Sequence, residues 1–257
     1  MRQMTSSNPA LTGSVFKNFE SYGDTSTMTV TGTAVKTLIA IMLALLTAGM
    51  TWFKFQEAGG VAAGAAQTIM PLMFGGAIVG FILAMVTIFK PVWAAYTTPV
   101  YALAEGCFLG GISAIIQSQF PQVPIVFQAC CLTFGTLLVM LFLYQSGIIK
   151  VTDKLRMGIT AATGAICLLY VVSMVMGMFG MPIGFIHNAT PIGIGFSLFV
   201  VGLAAFNLLL DFDVIDRMAS SNAPKYMEWY GAFSLMVTLV WLYMEILRLL
   251  SKLNRRD

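Results

Sequence analysis

The chain has 257 residues, of which 58% are hydrophobic and 10% are charged, and its net charge at pH 7 is +3. A soluble globular domain carries about 25% charged residues, so this composition excludes a soluble enzyme, a disordered regulator and a secreted disulfide-rich domain. The chain is therefore predicted to be a membrane protein.

The form of the apolar runs decides between helices and a barrel. They are long and continuous, as at 137–143 (Leu-Leu-Val-Met-Leu-Phe-Leu), whereas the strands of a transmembrane barrel alternate apolar and polar residues over about 10 positions. Seven spanning helices of about 20 residues use roughly 140 residues and leave no room for a second soluble domain. We predict an all-α membrane protein, a bundle of seven transmembrane helices.

In chain order, residues 1–33 form a polar N-terminal cytoplasmic segment, without the early apolar stretch of a cleavable signal peptide. The transmembrane domain is predicted at 34–250, and a short basic tail follows at 251–257. Loop-forming residues separate the apolar stretches, which we place at 34–53, 69–89, 97–117, 125–144, 158–180, 191–212 and 229–250.

The Lys and Arg residues near the ends of these stretches predict the orientation. With seven crossings, one side of the membrane receives Arg2, Lys17, Lys36, Lys90, Lys150, Lys154, Arg156, Arg217 and Lys225, and the other side receives Lys54 from its loops. This bias places the N-terminus in the cytoplasm and the protein in the cytoplasmic (inner) membrane as a multi-pass protein. The basic C-terminal tail then lies outside; it is either tolerated there, or the seventh stretch does not fully cross. We expect seven full crossings.

Two glycine pairs predict close helix packing. Gly76 and Gly80 lie four residues apart in the second stretch, and Gly106 and Gly110 lie four apart in the third. Each pair therefore occupies one face of its helix, where the missing Cβ atoms let a neighbouring backbone approach.

Three carboxylates lie inside apolar stretches, where an ionisable group costs about 2.5–3.5 kcal/mol at the helix centre. Glu105 is in the third stretch, Asp211 closes the sixth and Glu245 lies deep in the seventh. The seventh stretch has five residues on one face, which we expect to point into the bundle: Ser234, Thr238, Trp241, Glu245 and Arg248. Asn207 shares a face with Asp211.

Each carboxylate also has a purely structural explanation. Glu245 and Arg248 are three residues apart and could neutralise each other, Asp211 could reach cytoplasmic water, and Glu105 could be protonated and bonded to a backbone carbonyl. Asp213 need not point the same way as Asp211, and it could pair with Asp216 or Arg217.

Other kinds of site find no support in the sequence. The four cysteines lie in apolar runs without metal-ligand spacing, and the single histidine, His187, lies in a loop. There is no nucleophile with a matching base, no phosphate-cradling glycine loop and no basic patch beyond the short tail. We expect no enzyme activity, no cofactor and no nucleic-acid partner, and no metal site can be assigned.

Three motifs, in order, resemble the Bax inhibitor-1 family of transmembrane Bax-inhibitor-motif proteins. Residues 104–112 (Ala-Glu-Gly-Cys-Phe-Leu-Gly-Gly-Ile) are similar to its Glu-Gly-x-x-Leu-Gly signature, and residues 210–215 (Leu-Asp-Phe-Asp-Val-Ile) are similar to its Tyr-Asp-x-x-x-Ile segment. Residues 240–250 resemble the closing segment of a bacterial branch. The resemblance covers about 34–250.

This resemblance implies a seven-helix fold with the last helix in the middle, and a pH-sensitive calcium (cation) leak gated by two carboxylates on the last two helices. Asp211 matches the first carboxylate. In an ungapped overlay the second falls on Thr238, and Glu245 lies seven residues later on the same face. Lys90 is the rough counterpart of the family's gating arginine. Calcium would be a transported ion.

We therefore expect Asp211, Thr238 and Glu245 to line one water-accessible interior cavity. Thr238 should lie at the height of Asp211 and Glu245 about 10 Å further on, which makes a direct bond between the two carboxylates unlikely. Glu105 is a candidate neighbour of Glu245.

Three functional hypotheses follow. The first is a pH-sensitive calcium or cation leak. The second is a non-transporting regulator that binds other membrane proteins, such as a quality-control protease, through residues 1–30. The third is a proton-coupled carrier of small solutes. The lipid bilayer is the partner common to all three.

Labelling of single cysteines from the two sides of the membrane tests the topology, in a background in which the native cysteines are replaced. A cysteine at Ser6 should react only from the cytoplasm and one at Asn254 only from outside. Labelling of both from one side would contradict seven crossings, and recoding the tail arginines would show whether they set that orientation.

Overall fold

A computed structural model describes residues 27–60, 64–181, 184 and 188–255. It contains seven long helices: α1 (Val30–Glu57), α2 (Ala65–Phe89), α3 (Ala94–Gln119), α4 (Ile125–Gln145), α5 (Asp153–Met178), α6 (Pro191–Ser220) and α7 (Met227–Asn254). All seven are long and apolar enough to cross a membrane. The predicted all-α class with seven spanning helices is confirmed. Residues 1–26 and His187 lie outside the described residues.

The largest difference from the predicted boundaries is at the end of α6, which continues to Ser220 instead of stopping at 212. Its 30 residues extend over about 45 Å, more than the roughly 30 Å of a hydrocarbon core. The last turns are polar but helical, so hydropathy alone could not detect them. Asp211 therefore lies inside a helix and not at its end.

The described residues divide into two compact units. Of the described residues, the α4–α5 unit contains those between 127 and 214 and the last part of α7 from Thr238, and the α1–α3 unit contains those between 27 and 126 together with 215–237. Helices α6 and α7 thus each contribute to both units.

Within the α1–α3 unit, the predicted glycine pairs allow helix backbones to touch. A Cβ atom on Gly106 would lie 2.2 Å from the carbonyl oxygen of Ala44, and one on Gly110 would lie 2.3 Å from that of Ala48. Gly76 approaches the Ala104 carbonyl of α3 in the same way, at 2.5 Å. Gly76, Gly106 and Gly110 thus have the predicted packing role, whereas the atoms nearest to a Cβ on Gly80 would be those of the Glu105 side chain.

Helix α7 is the most buried span. In its most apolar window 61% of the residues are buried, against 17–50% in the other six helices. The predicted polar face points inward, because Ser234, Thr238 and Glu245 are buried while Trp241 and Arg248 are half-buried.

The first turn of α1 is attached to the first turn of α7 by one buried carboxylate. Glu228, only 1% exposed, accepts hydrogen bonds from the backbone N–H and the hydroxyl of Thr29 at 2.9 and 3.0 Å. It also forms ion pairs with Lys36 and Lys225. Thr29 in turn caps α1 by accepting a bond from the N–H of Gly32. We call this the Glu228 cluster: Thr29, Gly32, Lys36, Lys225 and Glu228.

Gly32→Ala should destabilise the protein, because its Cβ would lie 2.2–2.5 Å from the carboxylate atoms of Glu228 and must move them off their partners. We expect a loss of about 1.5–3 kcal/mol, the contribution of a hydrogen bond to a charged group. Thermal unfolding in detergent measures the change. Gly49→Ala, in the same helix with open space around its Cβ, is the matched control and should not lower the melting temperature. Equal melting of Gly32→Ala and wild type would contradict the importance of the cluster.

Candidate functional site

Asp211 and Thr238 form a buried pair in the α4–α5 unit. Asp211 on α6 is 1% exposed and Thr238 on α7 is 4% exposed, and the Thr238 hydroxyl donates to Oδ2 of Asp211 at 2.5 Å. The structure thus brings together the two positions that the ungapped overlay matched to the carboxylate pair. A hydroxyl both donates and accepts, so it can bond either an ionised or a protonated Asp211.

Asn207 extends this polar group by one turn of α6. Its side-chain amide donates to the hydroxyl of Thr163 on α5 and to the carbonyl of Leu203, both at 2.9 Å. Asn207 is buried, so polar side chains from three helices lie within the interior of this unit.

Asp213 takes part in a buried ion pair. Its Oδ2 accepts from Nη2 of Arg156 on α5 at 2.5 Å, and Arg156 is 5% exposed. A second carboxylate, that of the mostly exposed Asp153, lies 3.6 Å from Nη1. The sequence analysis considered Asp216 and Arg217 as partners of Asp213, and it used Arg156 only as one of the basic residues that predict the orientation in the membrane.

Glu245 is neutralised within the interior. It is 1% exposed, and Arg248 donates to its two carboxylate oxygens at 2.9 and 3.0 Å. The hydroxyl of Tyr170 on α5 donates to Glu245 at 2.9 Å and accepts from Arg248 at 2.6 Å. The structural explanation of this pair therefore holds. Within the described residues, the bonds of Glu245 run to these two side chains and not to Asp211, as expected.

Lys252 continues the polar face of α7 by one more turn. It is 3% exposed, and its ammonium donates to the carbonyl of Gly193 and to the hydroxyl of Ser197, both on α6, at 2.9 and 2.8 Å. The sequence analysis assigned Lys252 to the tail. Its spacing of four residues from Arg248 is the signal that could have placed it on this face.

Glu105 and Lys90 lie in the α1–α3 unit. Glu105 is half-buried and is hydrogen-bonded to Tyr101 one turn earlier. Its carboxylate lies beside Gly80, where a Cβ atom would be 3.1 Å from Oε1 of Glu105, so the glycine leaves room for it. Lys90 is exposed at the end of α2, with its ammonium 4.5 Å from the centroid of the Trp93 ring. Because Glu245 belongs to the other unit, its proximity to Glu105 stays a prediction.

The polar positions of α7 from Thr238 to Lys252 extend over about 21 Å, a large part of the roughly 30 Å hydrocarbon thickness. The carboxylates along this path differ in the partners that the structure shows for them. Glu245 and Asp213 are each paired with an arginine, whereas Asp211 is bonded to a hydroxyl.

Asp213→Asn should destabilise the protein, because it leaves the Arg156 guanidinium buried beside a neutral amide. Breaking a buried pair from one side costs about 3–5 kcal/mol, and the remaining Asp153 keeps the loss near the lower end. Thermal unfolding in detergent measures it.

Asp216→Asn makes the same chemical change at an exposed position of the same helix and should leave the melting temperature unchanged. Replacing both partners, Arg156→Met with Asp213→Leu, should recover stability relative to Asp213→Asn. A double variant no more stable than the single one would show that the ion pair is not the cause.

Comparison with known proteins agrees with this architecture. No curated protein and no solved structure matches the chain. A family model described as Bax inhibitor 1 like matches residues 8–255, nearly the whole chain. The three motifs noted in the sequence fall in α3, α6 and α7, and two of them contain Asp211 and the buried Glu245. The chain therefore belongs to the Bax inhibitor 1 like family of membrane proteins.

Proposed function

We propose that the protein is a pH-sensitive cation leak in which Asp211 is the gating carboxylate. The observation that carries the proposal is the buried bond between Asp211 and the hydroxyl of Thr238. Membership of the family supports it, as do the seven apolar helices.

The physical argument starts from the cost of a buried charge. An ionised carboxylate at the centre of a membrane helix is unfavourable by about 2.5–3.5 kcal/mol, so Asp211 gains from binding either a proton or a cation. Both compete for the same oxygens. The fraction of Asp211 that is free to bind a cation, and with it the flux, then depends on pH.

Calcium is the transported ion that the resemblance to the family implies. Calcium prefers oxygen ligands and takes six to eight of them in a tight site, whereas conduction needs binding that is weak enough to release the ion. One carboxylate, the hydroxyl of Thr238 and the amide oxygen of Asn207 offer few strong ligands. This set suits passage better than storage.

Two other carboxylates near Asp211 are paired with arginines. Arg156 and Arg248 neutralise Asp213 and Glu245, so these two pairs add no net charge. The proposal includes a water-accessible cavity beside Asp211, Thr238 and Glu245. It also places the protein in the cytoplasmic membrane with the N-terminus inside, because the basic loop residues predict that orientation.

Calcium flux into liposomes at several pH values tests the proposal. Wild type should show flux that changes with pH, and Asp211→Asn should abolish that change because an amide does not titrate. Asp216→Asn, an equal chemical change at an exposed position of α6, should keep the wild-type profile.

Two results would contradict the proposal. The first is wild-type flux no greater than in protein-free liposomes, which would favour the hypothesis of a non-transporting regulator. The second is a wild-type pH profile in Asp211→Asn, which would move the gating group elsewhere.

A further inference from the structure

A groove of about 440 Å³ lies between α5 and α6, entirely within the α4–α5 unit. Nine of its ten lining residues are apolar or glycine, and the tenth is Lys154. Its floor includes Ile159 and Leu203, which belong to the buried core of this unit, and one rim is the exposed Phe199. The groove is therefore a hydrocarbon surface with a single cation.

Glycines keep this groove open. A Cβ atom on Gly158 of α5 or on Gly202 of α6 would meet no atom within 4 Å. Gly106 and Gly110 differ, since their Cβ atoms would overlap α1. Gly158 and Gly202 therefore leave the space between α5 and α6 unfilled, and larger side chains at these two positions would occupy it.

Lys154 marks one end of the groove. It is the second residue of α5, is exposed, and forms no ion pair within the part of the chain that the structure describes. The carboxylate of the adjacent Asp153 lies near Arg156 instead. A lysine at a helix end extends its ammonium to the membrane surface along an apolar stem. The topology prediction puts this end on the cytoplasmic side, where the surface is rich in anionic headgroups.

The length and lining of the groove suit an acyl chain. From Lys154 to Ala162 the groove follows about 12 Å of α5, and beyond Lys154 its lining is apolar throughout. A hydrocarbon chain can lie along this surface with its headgroup at Lys154.

We propose that this groove binds one anionic phospholipid, with an acyl chain between α5 and α6 and the headgroup phosphate paired with Lys154. The bound acyl chain covers apolar surface in the groove, and the phosphate supplies the negative charge that pairs with the Lys154 ammonium. The site is separate from Asp211 and does not depend on the proposed leak.

Native mass spectrometry of the full-length protein released from nanodiscs tests this site, with equal amounts of phosphatidylglycerol and phosphatidylcholine. Wild type should retain one phosphatidylglycerol in preference to phosphatidylcholine. Gly158→Leu with Gly202→Leu should fill the groove and remove that lipid, without a clash because both positions face open space. Lys154→Gln should weaken the phosphatidylglycerol adduct about fivefold, the effect of one lysine near an anionic surface.

Matched controls make the same changes away from the groove. Gly135→Leu fills an exposed glycine of α4 that also faces open space, and Lys54→Gln removes an exposed lysine from the other unit. Both should retain lipid as wild type does, and all variants should keep the wild-type melting temperature.

Three results would overturn the proposal. One is an unchanged phosphatidylglycerol adduct in the filled variant, and another is equal retention of the two lipids by wild type. The third is a wild-type dimer that the filled variant converts to a monomer with no change in lipid. That result would assign the groove to a second copy of the chain.

Discussion

An ionisable side chain in the hydrocarbon of a bilayer persists only where another group neutralises or hydrogen-bonds it, and this constraint organises the α4–α5 unit. Arg156 pairs with Asp213, Arg248 with Glu245, and Lys252 binds oxygens of α6. The pair of Arg156 with Asp213 connects α5 to α6, Lys252 connects α7 to α6, and the hydroxyl of Tyr170 connects α5 to the Arg248–Glu245 pair within α7. These polar contacts each remove an energetic cost, and those between helices also specify which helices are neighbours.

The helices of the α1–α3 unit are held together mainly by close packing. They pack through glycines at backbone distance, together with threonine hydrogen bonds such as the one from the Thr47 hydroxyl of α1 to the carbonyl of Leu103 on α3. Gly106 and Gly110 accept the backbone of α1, and Gly76 accepts that of α3. The Glu228 cluster adds charge only at the end of the helices, where the first turns of α1 and α7 meet. Ion pairs in the interior of one unit and close glycine packing in the other thus serve the same purpose.

Much of the fold could be predicted from the sequence, because the cost of placing polar backbone and side chains in lipid makes spanning helices visible as apolar stretches. The resemblance to the family matched Asp211 and Thr238 to one site, and helix spacing put them at the same height; the hydrogen bond between them was not predicted. The pairing of Glu245 with Arg248 was also considered from their spacing, but the partners on other helices could not be foreseen. Arg156 and Tyr170 are on α5, and a single sequence does not state which helices are adjacent. Lys252 and the end of α6 were missed because charged turns near a membrane surface look like loop or tail.

The Glu228 cluster has a consequence for how the protein is made. Thr29 and Glu228 are 199 residues apart in the chain, so the first helix enters the membrane long before its carboxylate partner is synthesised. Until α7 arrives, Lys36 lacks the carboxylate that neutralises it, and Thr29 lacks the acceptor for its hydroxyl and backbone N–H. A contact of such long range closes late and slowly. A chain truncated before α7 would therefore carry unpaired polar groups at its first helix, and such groups give a cell's quality-control machinery a physical means of recognising an unfinished protein.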